Sequence, residues 1–224
     1  MEYSSVLERQ DRRTLSISIG RDGVVKIKAP YSMPMHEIKK FVSDKQKWII
    51  DKLRSINNMI ENNKDLIEYN QFMFLGTKYK PYYADVSGIV LDTEAHSIFV
   101  PKSTAESAVV VSIAGFFKKK AKEILSQRVK SISDTMNVAP KRIRFTSTKS
   151  RWGSCSAASI VSFNWRLIML PTKIIDYVIV HELSHIKHMD HSNRFWSEVS
   201  VYIPDYGILR KDLKRYSFVL NLMI

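Results

Sequence analysis

Four of the six histidines of this 224-residue chain fall in one short stretch, His181-Glu182-Leu183-Ser184-His185-Ile186-Lys187-His188-Met189-Asp190-His191. Its first five residues read H-E-x-x-H. On a helix, residues four apart stand one turn apart on the same face. Two imidazoles placed this way can close on one Zn²⁺ at about 2.0–2.1 Å each, and the intervening glutamate reaches a water on the ion rather than the ion itself. Such a pair needs a helix firmly supported by the core. The apolar run Ile174, Ile175, Val178, Ile179, Val180 predicts a buried helix that starts after Pro171 and runs through the histidines.

A catalytic zinc usually has three protein ligands and a water. His188 shares the face of His181 and His185 but lies roughly 10 Å along the axis from His181, at about 1.5 Å per residue. The third donor therefore has to come from chain that folds back. His191 fits, because Asp190 and Ser192-Asn193 favour a turn and a new helix start. Glu198 on that next helix is the rival, and His191 is the favoured of the two. A second class of reading makes the protein a DNA-associated binding protein with a structural or vestigial zinc site. That site would need a fourth ligand, from Cys155 or Glu198, and would have no use for Glu182 as a base.

The rest of the chain reads as α+β, with strands ahead of the histidine helix. Alternation at Leu15, Ile17 and Ile19, a turn at Arg21-Asp22-Gly23 and a return through Val24–Lys28 predict a hairpin. One helix is expected from near Pro34 through Leu53, closed by the polar stretch 57–64. Short strands follow between Phe72 and Pro101, then a long helix over 103–136. Strands are expected at 142–146 and 160–167, and a last helix near Ser192. The division expected is a β-rich region with one helix over 1–102 and a catalytic region over 103–224.

The first fourteen residues lack the apolar core of a secretory signal, and no apolar run approaches the ~20 residues of a membrane span. Cys155 is the sole cysteine. These features point to the cytoplasm and away from a membrane. Thirty-five Lys and Arg against twenty-two Asp and Glu give a net charge of +13. That charge suits non-specific contact with nucleic acid. The basic clusters are Lys141, Arg142, Arg144, Lys149 and Arg151; Lys118–Lys120 with Lys122; and Arg210, Lys211, Lys214 and Arg215. Phe145 and Trp152 flank the first cluster and could stack on bases, while a solvated face is the simpler reading of all three.

Four blocks carry a resemblance: Arg151-Trp152-Gly153-Ser154-Cys155-Ser156, Phe163-Asn164-Trp165-Arg166-Leu167, Asp176 through His185, and His191-Ser192 followed by Phe195-Trp196. In order and spacing they resemble the YgjP-like zinc metallopeptidases, relatives of the SprT-like proteases. Lys28-Ala29-Pro30, Lys47-Trp48-Ile49 and Phe74-Leu75-Gly76 extend the likeness over nearly the whole chain. The resemblance implies a zincin-like fold and a peptidase acting on protein or peptide, with His181, His185 and His191 as zinc ligands and Glu182 as base. A protease recruited to DNA would combine both readings. One departure is Ser156-Ala157-Ala158-Ser159, where the family has a glycine turn. Arg151, Tyr177 and Tyr202 are candidates for stabilising an oxyanion. Asn164 suits either a bond to a ligand histidine or a turn. Trp152 and Gly153 suit an active-site wall or core packing, with the strand at 160–167 offering its edge to a substrate peptide. Cys155 reads as a small buried hydrophobe.

Overall fold

The computed structural model describes residues 3–20, 23–61 and 71–221. It forms two compact units, Met1–Glu68 and Tyr69–Ile224. The mixture of helix and sheet is the α+β class expected.

In the first unit, β1 (Ser5–Gln10), β2 (Ser16–Ile19) and β3 (Val25–Pro30) form a sheet of order β1-β3-β2. The expected hairpin is the β2–β3 pair; Arg21 and Asp22 of its turn lie outside the described residues. Val25, Ile27 and Ala29 of β3 bury against Ile38 and Ile49. Those two belong to α1 (Met35–Asp44) and α2 (Gln46–Glu61), two helices where one was expected. The break is at Lys45, whose N–H is shared between the carbonyls of Phe41 and Val42 while its own carbonyl opens α2. Residues 62–64 of the polar stretch lie outside the described residues.

The second unit begins with β4 (Phe72–Phe74), β5 (Thr77–Ala84), β6 (Val90–Asp92) and β7 (Ser97–Pro101), in the order β4-β5-β7-β6. These strands thus share a unit with the histidines, where the sequence put the division at 102. The reason is a direct backbone link. Leu75 N–H donates to Ile168 O at 2.7 Å, and Gly76, at φ 84°, lies where an added Cβ would meet Pro171 at 2.9 Å. The β4–β5 turn is therefore seated against the start of the histidine helix, and only glycine permits that approach.

The long helix α3 (Glu106–Thr135) buries Ile113, Phe117, Ala121, Leu125 and Val129 along one side. It ends in a paired cap: Asn137, at φ 50°, and Val138 donate to the carbonyls of Asp134 and Ser133. Next come β8 (Arg142–Thr146), β9 (Gly153–Cys155) and β10 (Ile160–Asn164), in the order β8-β10-β9. The strand expected to reach Leu167 stops at Asn164. There the Asn164 side chain accepts from Arg166 N–H and turns the chain into a 3-10 segment, Trp165–Met169. β10 is paired on both sides, so it has no edge to offer; the edges of this sheet are β8 and β9. The same trio recurs in all three sheets. The third strand lies between the first two, parallel to the first and antiparallel to the second.

α4 (Thr172–Ser184) follows, then α5 (Asn193–Tyr202), α6 (Tyr206–Arg215) and a final 3-10 segment, Tyr216–Asn221. α4 is apolar nearly all round, as a helix enclosed by neighbours has to be: Ile174, Ile175, Val178, Ile179, Val180 and Leu183 are all buried. Asp176, the charge that interrupts this run, accepts two bonds from Arg128 of α3, at 2.8 and 2.7 Å. That bidentate pair pins the histidine helix to the long one. Among the described residues no helix is long and apolar enough to cross a membrane.

Candidate metal centre

His181 stands in the last turn of α4, His185 caps its end, and His191 precedes α5. One donor nitrogen from each lies within 4.8 Å of the others. The Nε2 atoms of His181 and His191 are 3.2 Å apart. Two nitrogens about 2.0–2.1 Å from a tetrahedral ion would stand roughly 3.3 Å apart, so the spacing suits a shared cation. Phe195 presses on all three rings, stacked on His185 at 4.5 Å and within 4.9 Å of the other two. Trp196 adds contacts to His181 and His191. The start of α5 thus forms an aromatic wall that fixes the donor geometry.

The tautomers support the same use. His185 Nδ1 lies 3.0 Å from the carbonyl of His188, which can only accept; Nδ1 is therefore the protonated nitrogen and Nε2 carries the free lone pair. His188 thus contributes its backbone, not its ring. His181 Nδ1 is buried and has no hydrogen-bond partner among the described residues. A cation at Nε2 would fix that ring's tautomer where no protein group does. Burial, reinforced by His185, His191 and Arg210, pushes His181 down to about 3, and burial also lowers His185. Both rings are held neutral, the state a metal ligand needs.

Glu198, the rival donor, is engaged elsewhere: Lys187 Nζ donates to it at 2.6 Å and to Met136 O at 3.1 Å. Cys155 does not join the cluster either, and burial and the nearby Glu182 raise its thiol. Among the described residues no fourth His, Cys, Asp or Glu completes the three.

Glu182 is buried in α4 against β9. Burial pushes its carboxyl up to about 8, with Arg151 drawing it back in part. A Cβ built on Gly153 would fall 2.6 Å from its Cγ and 2.7 Å from its Oε1. β9 therefore carries glycine where the strand meets the acid. Asn164 secures that stretch, donating to the carbonyls of Thr148 and Arg151 and, through its backbone, to Trp152 O. Its role is to hold this loop, with no bond to a histidine. The departing turn at 156–159 holds Ser159 at φ 55°, the left-handed conformation a glycine would take without strain. A cleft of about 270 Å³ opens over Gly153, His181 and Glu182, with Trp152 and Tyr177 among its walls. Burial raises the Tyr177 phenol, so it stays protonated and able to donate. Tyr202 is not among the lining residues.

Gly153→Ala tests the β9 contact. The added methyl has to displace the end of a flexible side chain and not backbone, so the stability cost is modest, about 1–3 kcal/mol for a local overpacking. Misplacing a reacting group by about 1 Å can cost on the order of 10²-fold in rate. The expected outcome is a small fall in Tm with a disproportionate fall in turnover. Unchanged turnover would show that β9 does not position Glu182.

Three imidazoles thus converge from a helix and the turn after it, with a buried carboxyl group beside the first, an arrangement able to hold a metal ion. The chain belongs to the YgjP-like family, whose metallopeptidase domain matches residues 13–216. No curated protein matches the sequence. Among solved structures, the chain is similar to the metallopeptidase zymogen of Pyrococcus abyssi abylysin, at 19% identity and a TM-score of 0.37, over 40% of this chain and 90% of that one. Nothing is transferred from a likeness at that level.

Proposed function

We propose that the protein is a zinc-dependent peptidase in which His181, His185 and His191 hold the ion and Glu182 is the general base. The observation that carries the reading is the three-imidazole cluster with a buried carboxylate one residue from its first member. Three imidazoles and, among the described residues, no fourth His, Cys, Asp or Glu donor suit a catalytic zinc with a position left open, more than a closed structural site. When bound, zinc supplies Lewis acidity toward water and toward the scissile carbonyl. Glu182 takes a proton from the attacking water and passes it to the nitrogen of the breaking C–N bond. Gly153 leaves space for that carboxylate, and Trp152 lines the same cleft. Tyr177 O–H is the donor best placed among the three oxyanion candidates, since it lines the cleft. β9 is an edge strand that lies against Glu182, and an extended peptide could add along it as a further strand.

The test is elemental analysis together with digestion of a peptide library. The expected result is one zinc per chain, cleavage that stops on chelation, and recovery when zinc is returned. A zinc-loaded protein that leaves the library intact would overturn the reading.

A further inference from the structure

Arg210 and Lys214, four residues apart on α6, line the same cleft as His181 and Glu182. The Arg210 guanidinium carbon lies 4.8 Å from the centre of the Trp196 ring. Trp196 is itself stacked on Tyr206, with centroids 5.1 Å apart, and packs against His191. The charge is thus held beside the histidines by an aromatic stack, not left swinging in solvent. Among the described residues neither Arg210 nor Lys214 forms an ion pair, unlike Arg128, Lys120 and Lys187. Among the described residues Glu182 is the one carboxyl group lining the cleft.

A fixed guanidinium and an ammonium with no acidic partner, converging on a small pocket walled by Trp152, Val178 and Leu213, suit one planar anion with an apolar stem. Nucleic acid is less well matched. Its backbone calls for a groove along which several phosphates can lie, whereas this space is only about 270 Å³. We propose that Arg210 and Lys214 form a carboxylate-binding subsite beside the hydrolytic centre, so that preferred peptides carry a carboxylate within a residue or two of the bond cleaved. This rests on the peptidase reading above. The carboxylate can come from a free peptide C-terminus or from an Asp or Glu side chain.

The experiment measures binding separately from turnover. Zinc-loaded Glu182→Gln protein is titrated with labelled peptides followed by fluorescence anisotropy. One peptide ends in a free carboxylate, the second is its C-terminal amide, and the third and fourth are amides carrying Asp or Asn near the centre. At least one acid is expected to bind about tenfold tighter than its neutral twin, as one well-formed charged hydrogen-bond pair allows; which acid does so identifies the source. Arg210→Gln or Lys214→Gln, added to this background, should remove most of the preference, and Arg210→Lys should restore part of it. Zinc content confirms that each variant keeps its centre. Equal binding of acids and neutral twins would overturn the subsite, as would displacement by an oligonucleotide at lower concentration than by the best acid. The same peptides given to wild-type protein separate the two readings. Cleavage without acid preference in binding removes the subsite and keeps the peptidase. Acid preference in binding without cleavage does the reverse.

Discussion

Glu182→Gln should bind zinc as wild type does and lose peptide hydrolysis by ~10²–10⁴-fold, the usual effect of removing general acid–base catalysis. Glutamine keeps the shape that fits against Gly153, so the donor nitrogens are undisturbed. The variant should also be more stable than wild type when metal-free, for the following reason. The Glu182 carboxyl is raised from 4.5 to about 8 by burial. Between those values the unfolded chain has released this proton and the folded chain retains it. Wild-type stability therefore falls as pH rises through that window. Glutamine does not titrate, so the gap in Tm between variant and wild type should widen from pH 5 to pH 8 and narrow on adding zinc, whose charge favours the carboxylate. Thermal melts across pH, with and without metal, read this out; rates and zinc content complete the comparison. A glutamine variant that cleaves like wild type would remove Glu182 from the mechanism.

His191→Ala should lose zinc, while Glu198→Ala should keep it. Mutating even a residue that merely supports a metal ligand typically costs about 10–100-fold in affinity; deleting one of three donors should cost more. His191 is exposed and lies outside the helices, so its removal should leave the metal-free melting temperature close to wild type. The difference should appear only when metal is added, because stabilisation by a ligand follows its concentration relative to Kd. Glu198→Ala removes one partner of Lys187, which still donates to Met136 O. A partly exposed pair of this kind is worth about 1 kcal/mol or less. Competition against a chromogenic chelator measures both variants. Full zinc in His191→Ala with loss in Glu198→Ala would reverse the ligand assignment.

The histidine centre was legible because it depends on local rules. Helical period brings His181 and His185 to one face, and the turn signals after Asp190 bring His191 back. What the sequence hides depends on distant partners or on pieces too short to carry a period. Asp176 reads as a flaw in an apolar run until Arg128, far upstream in α3, is seen holding it. The close approach of Gly153 to Glu182 joins two segments with no shared pattern. β9 has three residues, too few for alternation to show, so the 160–164 strand reads as an edge where the sheet has it in the centre. The break at Lys45 is hidden because apolar spacing runs through it unchanged. Arg210 and Lys214 read as part of a solvated basic face; only the stack on Trp196 and the cleft reveal another use.

The recurring strand trio has a kinetic consequence. Parallel pairing is usually slow to form, because its partners are distant along the chain and connected by a long crossover. Here each parallel pair joins near neighbours: Ser5 with Val25, Lys80 with Ser97, and Arg142 with Ile160. The second strand of each trio lies inside that span, and the third begins where the span ends. Every sheet can therefore nucleate from its own segment of about twenty residues, at a closure entropy that grows only slowly with loop length. Closure of each trio is then a local event that does not depend on the order in which the others form.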